Sequence, residues 1–154
     1  MKSINALRSL TLVLASACLS TASAQSPDQM AQDVLARSPV IDGHNDVPEQ
    51  IAARFDRDLS QFDFRDTLPT MGAGSKPMHT DLARLRQGRV GGQFWSVWID
   101  PELPEFEAVQ RVIEQIDIVH RLVGQYPDDL QLALTAADVE AARKQGRIAS
   151  LIGM

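Results

Sequence analysis

The sequence has little with which to staple, anchor or charge itself in one direction. Cysteine occurs once, at Cys18, so no disulfide can form within the chain and stability in an oxidising compartment cannot depend on one. No apolar run approaches the roughly 20 residues that span a bilayer. Residues 10–19 (LTLVLASACL) make a run of only ten, so no transmembrane span is expected. With 15 Lys+Arg against 20 Asp+Glu the net charge is -5. The cations are scattered rather than striped, which leaves no electrostatic footprint for a phosphate backbone and argues against nucleic acid as a partner. No glycine-rich phosphate loop follows the first apolar run, so a nucleotide-binding doubly wound sheet is disfavoured. The acidic residues Asp56, Asp58, Asp63 and Asp66 lack calcium-loop spacing and read as solvated surface.

What is present has the composition of one ordinary globular domain, 44% hydrophobic and 23% charged. Its beginning is set apart. Lys2 and Arg8 precede the apolar run, and Ala22-Ser23-Ala24 follows it as a small-x-small cleavage motif, the pattern of a secretory signal peptide. The expected organisation is a signal peptide over residues 1–24 and a mature chain over 25–154, exported to the periplasm or secreted. Ala15-Ser16-Ala17-Cys18 resembles a lipoprotein processing box, so anchoring through a lipid on Cys18 is the minor alternative. Cleavage after Ala24 removes Lys2 and Arg8 and no acidic residue, which takes the net charge from -5 to -7.

The mature part alternates helical and strand patterns. A helix opens at Ser26-Pro27-Asp28 and ends at Ser38-Pro39, since a residue before proline is pushed out of the α region. Residues 40–42 are a short strand of buried pattern, 49–54 one or two helical turns, and 56–77 a long surface loop broken by Pro69, Gly72, Gly74 and Pro77. A helix over 82–87 and a strand over 92–99 follow. The longest helix runs from Glu105 to Gln125, with Phe106, Val109, Val112, Ile113, Ile116, Val119 and Val123 as its buried stripe. Residues 130–134 form a short strand, Thr135 caps a helix that stops before Gly146, and 148–153 is an apolar strand. Strands separated by helices pair in parallel through right-handed crossovers, which gives an α/β class.

His44-Asn45-Asp46 lies directly after the first strand and just before Pro48. A His and a carboxylate two residues apart at a strand end face one side and reach one cation, the geometry of a hydrolytic zinc centre. Such a pair on its own is more often a polar pair in a loop. His79 reads as a cap or loop residue beside Asp81, and His120 as a histidine packed at the edge of the long helix's stripe. Trp95 and Trp98 have opposite strand parity, so one of them packs under the helices. Polar ligands at the carboxyl end of a first strand suit a (β/α)8 TIM-type barrel, whose chemistry sits on that face. A whole barrel takes about 250 residues. About three βα units are expected in residues 25–154.

Residues 40–48 (VIDGHNDVP), 79–98 (HTDLARLRQGRVGGQFWSVW) and 146–153 (GRIASLIG), in this order and at these separations, resemble the N-terminal third of the membrane (renal) dipeptidase family. The resemblance implies an incomplete (β/α)8 barrel from a zinc metallopeptidase that hydrolyses dipeptides with a water activated by two Zn2+ ions. It makes His44 and Asp46 the first metal ligands. The family's bridging glutamate and later histidines have no counterpart in residues 1–154, so no catalytic residue is assigned here and the chain alone is expected to be inactive. Where the family often has an aromatic residue, Glu49 and Gln50 stand. The implied partner is a dipeptide, with a homodimer an open option for a full-length protein. The competing reading is a non-catalytic exported domain that keeps the scaffold and binds a partner.

Overall fold

The computed structural model describes residues 24–70 and 76–154. The expected signal peptide with Cys18 therefore lies outside the described residues, except for Ala24. Helix α1, Pro27–Arg37, starts in a capping box between Ser26 and Gln29 and buries no residue. Polar clamps hold it instead. Arg89 donates to Gln32 Oε1 at 2.8 Å and Arg143 to the Arg37 carbonyl at 2.9 Å.

Four parallel strands form the sheet: β1 (Val40–Asn45), β2 (Val90–Ser96), β3 (Leu130–Leu132) and β4 (Ile148–Gly153), in the order β1-β2-β4-β3. Helix α2, Val47–Phe55, connects β1 towards β2, followed by the short α3 (Thr67–Thr70) and α4 (Leu82–Gln87). Helix α5, Glu105–Gln125, links β2 to β3, and α6, Ala136–Lys144, links β3 back to β4. The two last connections run in opposite directions across the sheet. Right-handed crossovers that run in opposite directions must place their helices on opposite faces. The core divides accordingly. Ile51 of α2, Leu82 and Leu85 of α4, and Ile118, Val119 and Leu122 of α5 pack with Trp95, Leu130 and Ile148 on one face. Ala142 and Val139 of α6 pack with Ala133, Ala149 and Leu151 on the other.

Several expectations change at this level. The segment 56–77 is no simple surface loop: Leu59 to Gln61 make a 3-10 turn, α3 follows, and Leu59, Phe62, Phe64 and Thr67 are buried. Phe64 fills the centre of an aromatic cluster, its ring centroid 6.1 Å from Trp95 and 6.3 Å from Tyr126. The acidic residues of this segment include structural ones, since Asp58 caps the 3-10 turn through the Ser60 N–H and Asp63 accepts from the Tyr126 hydroxyl. Strand β1 runs to Asn45 and is mostly exposed rather than buried, because it is an edge strand. Strand β2 begins and ends earlier than expected, and β3 stops at Leu132. Trp95 packs under the helices, whereas Trp98 lies half exposed beyond the strand end, where strand parity no longer applies. The α5 bounds agree with the periodicity, but of the expected stripe only Val119 is buried; Phe106, Val109 and Ile113 are exposed, and the buried face is Gln115, Ile118, Val119 and Leu122. His120 is exposed, not packed, since the buried face is centred on Ile118, Val119 and Leu122.

Candidate metal centre

The site is built where β1 ends and α2 begins. The chain leaves the strand at Asn45 and enters the helix at Val47, with Pro48 in the first turn, where its missing N–H costs nothing. Asp46 takes the N-cap position, yet its side chain makes no capping hydrogen bond. An aspartate there usually accepts from the first-turn N–H groups, a contact that contributes about 1 kcal/mol. Asp46 forgoes it. Its Oδ1 lies 2.9 Å from His44 Nε2 instead, with both side chains open to solvent. The positive end of α2 still favours a carboxylate at this point.

The pair opens into a cleft of about 340 Å³ whose wall includes Gln50, Arg54, Lys76 and His79. Arg54 spans this wall by donating to the Lys76 carbonyl. His79 does not cap α4; Asp81 does, through the Arg84 N–H, while the His79 carbonyl accepts from the Arg84 guanidinium. The structure thus brings His44, Asp46 and His79 to one cleft and leaves His120 away from it. Behind the pair lies a residue that the sequence reading passed over. Gln93, fully buried in β2, donates to Asp42 Oδ2 at 2.9 Å and accepts from Asn45 Nδ2 at 3.3 Å. The available signal was a lone amide in the apolar stretch Gly91-Gly92-Gln93-Phe94-Trp95.

An imidazole nitrogen and a carboxylate oxygen on one side of a strand end form a donor set that suits a divalent ion such as zinc. The fit is partial. Among the described residues no group of three or more His, Cys, Asp or Glu side chains converges. Among the same residues, no helix is long and apolar enough to cross a membrane.

A parallel α/β sheet with alternating helices and with His44 and Asp46 at the carboxyl end of its first strand has the layout of part of a (β/α) barrel. Residues 28–154 match the membrane dipeptidase family (peptidase family M19), and the chain belongs to that family. Dipeptidase ataJ of Aspergillus terreus is 44% identical over 80% of this chain and 30% of its own length. Dipeptidase verJ of Clonostachys rogersoniana is 40% identical over 80% of this chain and 32% of its own. The chain therefore spans about a third of these relatives. A metallo peptidase from Rhodobacter sphaeroides, solved with a phosphinate mimic of the dipeptide L-Ala-D-Ala, superposes with a TM-score of 0.58 at 16% identity, over 74% of this chain and 37% of that one. That likeness establishes the fold.

Proposed function

We propose that the protein containing these residues is an exported, zinc-dependent dipeptidase working with two Zn2+ ions, and that His44 and Asp46 are two of its metal ligands. One observation carries the reading. In a chain that matches the dipeptidase family over residues 28–154, the N-cap carboxylate of α2 is withheld from capping and turned to His44 Nε2. Zinc, when bound, supplies a Lewis acid for the scissile carbonyl and acidifies the attacking water. His44 would hold the ion through a ring nitrogen and Asp46 through a carboxylate oxygen that would offset part of its charge. Two protein ligands fall short of the three that catalytic zinc sites ordinarily use. The 154 residues by themselves are accordingly proposed to be inactive.

Metal analysis and dipeptide kinetics on the full-length protein test this. His44→Ala and Asp46→Ala should each lose bound zinc and nearly all turnover, whereas His120→Ala, exposed on α5, should leave both almost unchanged. A His44→Ala protein with full zinc and wild-type turnover would overturn the assignment. Export has its own test, N-terminal sequencing of protein from its source. A start at Gln25 supports it, a retained Met1 removes it, and a lipid-modified Cys18 replaces free export with anchoring.

A further inference from the structure

Gln93 is a fully buried, uncharged amide in the middle of β2, and its side chain reaches Asp42 and Asn45 of β1 and its own neighbour's backbone. Its Nε2 donates to Asp42 Oδ2 at 2.9 Å, with longer contacts to the Phe94 and Asp42 carbonyls at 3.2 and 3.4 Å. Its Oε1 accepts from Asn45 Nδ2 at 3.3 Å. The two gripped residues hold their surroundings in turn. Asp42 Oδ1 accepts the His44 N–H at 3.2 Å, and Asn45 Oδ1 accepts the Val47 N–H at 3.2 Å. One amide therefore fixes the chain on both sides of Gly43-His44 and at the residue between His44 and Asp46.

This grip falls where the strand ladder fails. The register between β1 and β2 shifts between Asp42 and Asn45, so regular pairing does not hold the backbone of Gly43 and His44. Packing does not orient the pair either, since the side chains of His44 and Asp46 are 64% and 51% exposed. A metal site with solvated ligands on an irregular strand end needs its geometry from behind. We infer that Gln93 is a positioning residue for the His44–Asp46 pair, acting through Asp42 and Asn45. The inference rests on the reading of that pair as metal ligands. Removing a group that orients a ligand typically costs about 10–100-fold in metal affinity or activity.

Gln93→Met keeps the volume and removes both contacts. On the full-length protein, zinc affinity by chelator competition should fall about 10–100-fold, and kcat should fall while KM moves by less than about 3-fold. Metal-free protein should keep a cooperative unfolding transition, which a merely structural role would degrade first. Asn45→Ala, at the half-buried rim, breaks the Oε1 contact together with the Asn45 contact to the Val47 N–H but leaves the Asp42 arm of the Gln93 grip in place, and should shift zinc affinity the same way by less. It also carries the test if Gln93→Met does not fold. Wild-type zinc affinity in Gln93→Met, or in Asn45→Ala in that event, overturns the inference. His44→Ala separates the two claims: if it keeps zinc, the ligand reading has failed. If it loses zinc while Gln93→Met binds normally, only the positioning role has failed.

Discussion

Asp81 is fully buried between the start of α3 and the start of α4, and it is satisfied by donors from both. Oδ1 accepts the Arg84 N–H at 3.0 Å, while Oδ2 takes the Arg84 guanidinium at 2.7 Å and the Thr67 N–H and hydroxyl at 3.0 Å each. Burial by itself raises a carboxyl pKa. Here the hydrogen bonds from Arg84 and Thr67 outweigh it and bring Asp81 from the ordinary 3.8 down to about 2. A depressed carboxyl stabilises the fold above its unfolded value and loses that contribution as pH falls through the folded one. The contribution, roughly 2 kcal/mol, should be complete above pH 3.8 and fade towards about 2. Urea unfolding of wild type against Asp81→Asn checks this. The difference should shrink from roughly 2 kcal/mol at neutral pH to under about 1 at pH about 2.5, and a pH-independent difference would contradict it. At this scale the sequence announced His44 and Asp46 through their spacing, whereas Gln93 and Thr67 carry no mark of their partners, 48 and 14 residues away respectively.

Among the elements, α1, α5 and α6 were legible because each writes its own local signals: the Ser26 and Thr135 capping boxes and a long helical periodicity. Local signals do not say what covers a face. The face of α5 that packs in the core carries Ile118, Val119 and Leu122, whereas Phe106 and Ile113, on the same helix, are open. The close approach of Pro39, just before β1, to strand β2 depends on Gly91. A Cβ there would lie 2.7 Å from Pro39 Cγ and 2.8 Å from its Cβ, and a proline ring cannot swing aside. Gly91→Ala should therefore lower stability by about 1–3 kcal/mol, read as a drop in the thermal midpoint. An unchanged midpoint would mean that the 38–40 turn yields more easily than its ring geometry implies.

Over the whole molecule, the order β1-β2-β4-β3 places the three strands that carry the family's motifs side by side and adds β3 outside them. Strand β3 pairs with β4 only from Ile148 to Ser150, so Leu151 to Gly153 have no strand on that side among the described residues. Ile41, Trp98, Phe106, Ile113 and Leu134 are each more than half exposed. Open strand edges and exposed apolar side chains invite association. The 154 residues expressed alone should bind a hydrophobic dye and elute as mixed oligomers in size-exclusion chromatography. A monodisperse monomer that excludes the dye would show that these surfaces are tolerated.

The sequence by itself determined the α/β class, the main helices, the first strand at Val40 and the family, because capping, periodicity and motif spacing are properties of neighbours along the chain. Tertiary structure decided the rest. The polar-looking segment 56–77 enters the core because a helix stripe and Trp95 offer Phe64 a buried place that its own neighbours do not announce. Helix α6 lies on the opposite face from α5 because β3 is outermost, and strand order is a matter of pairing between distant residues. The Asp46 carboxylate faces His44 rather than capping α2 because the backbone at the end of β1 turns it that way, an end held through Asn45 and Asp42 by an amide on the neighbouring strand.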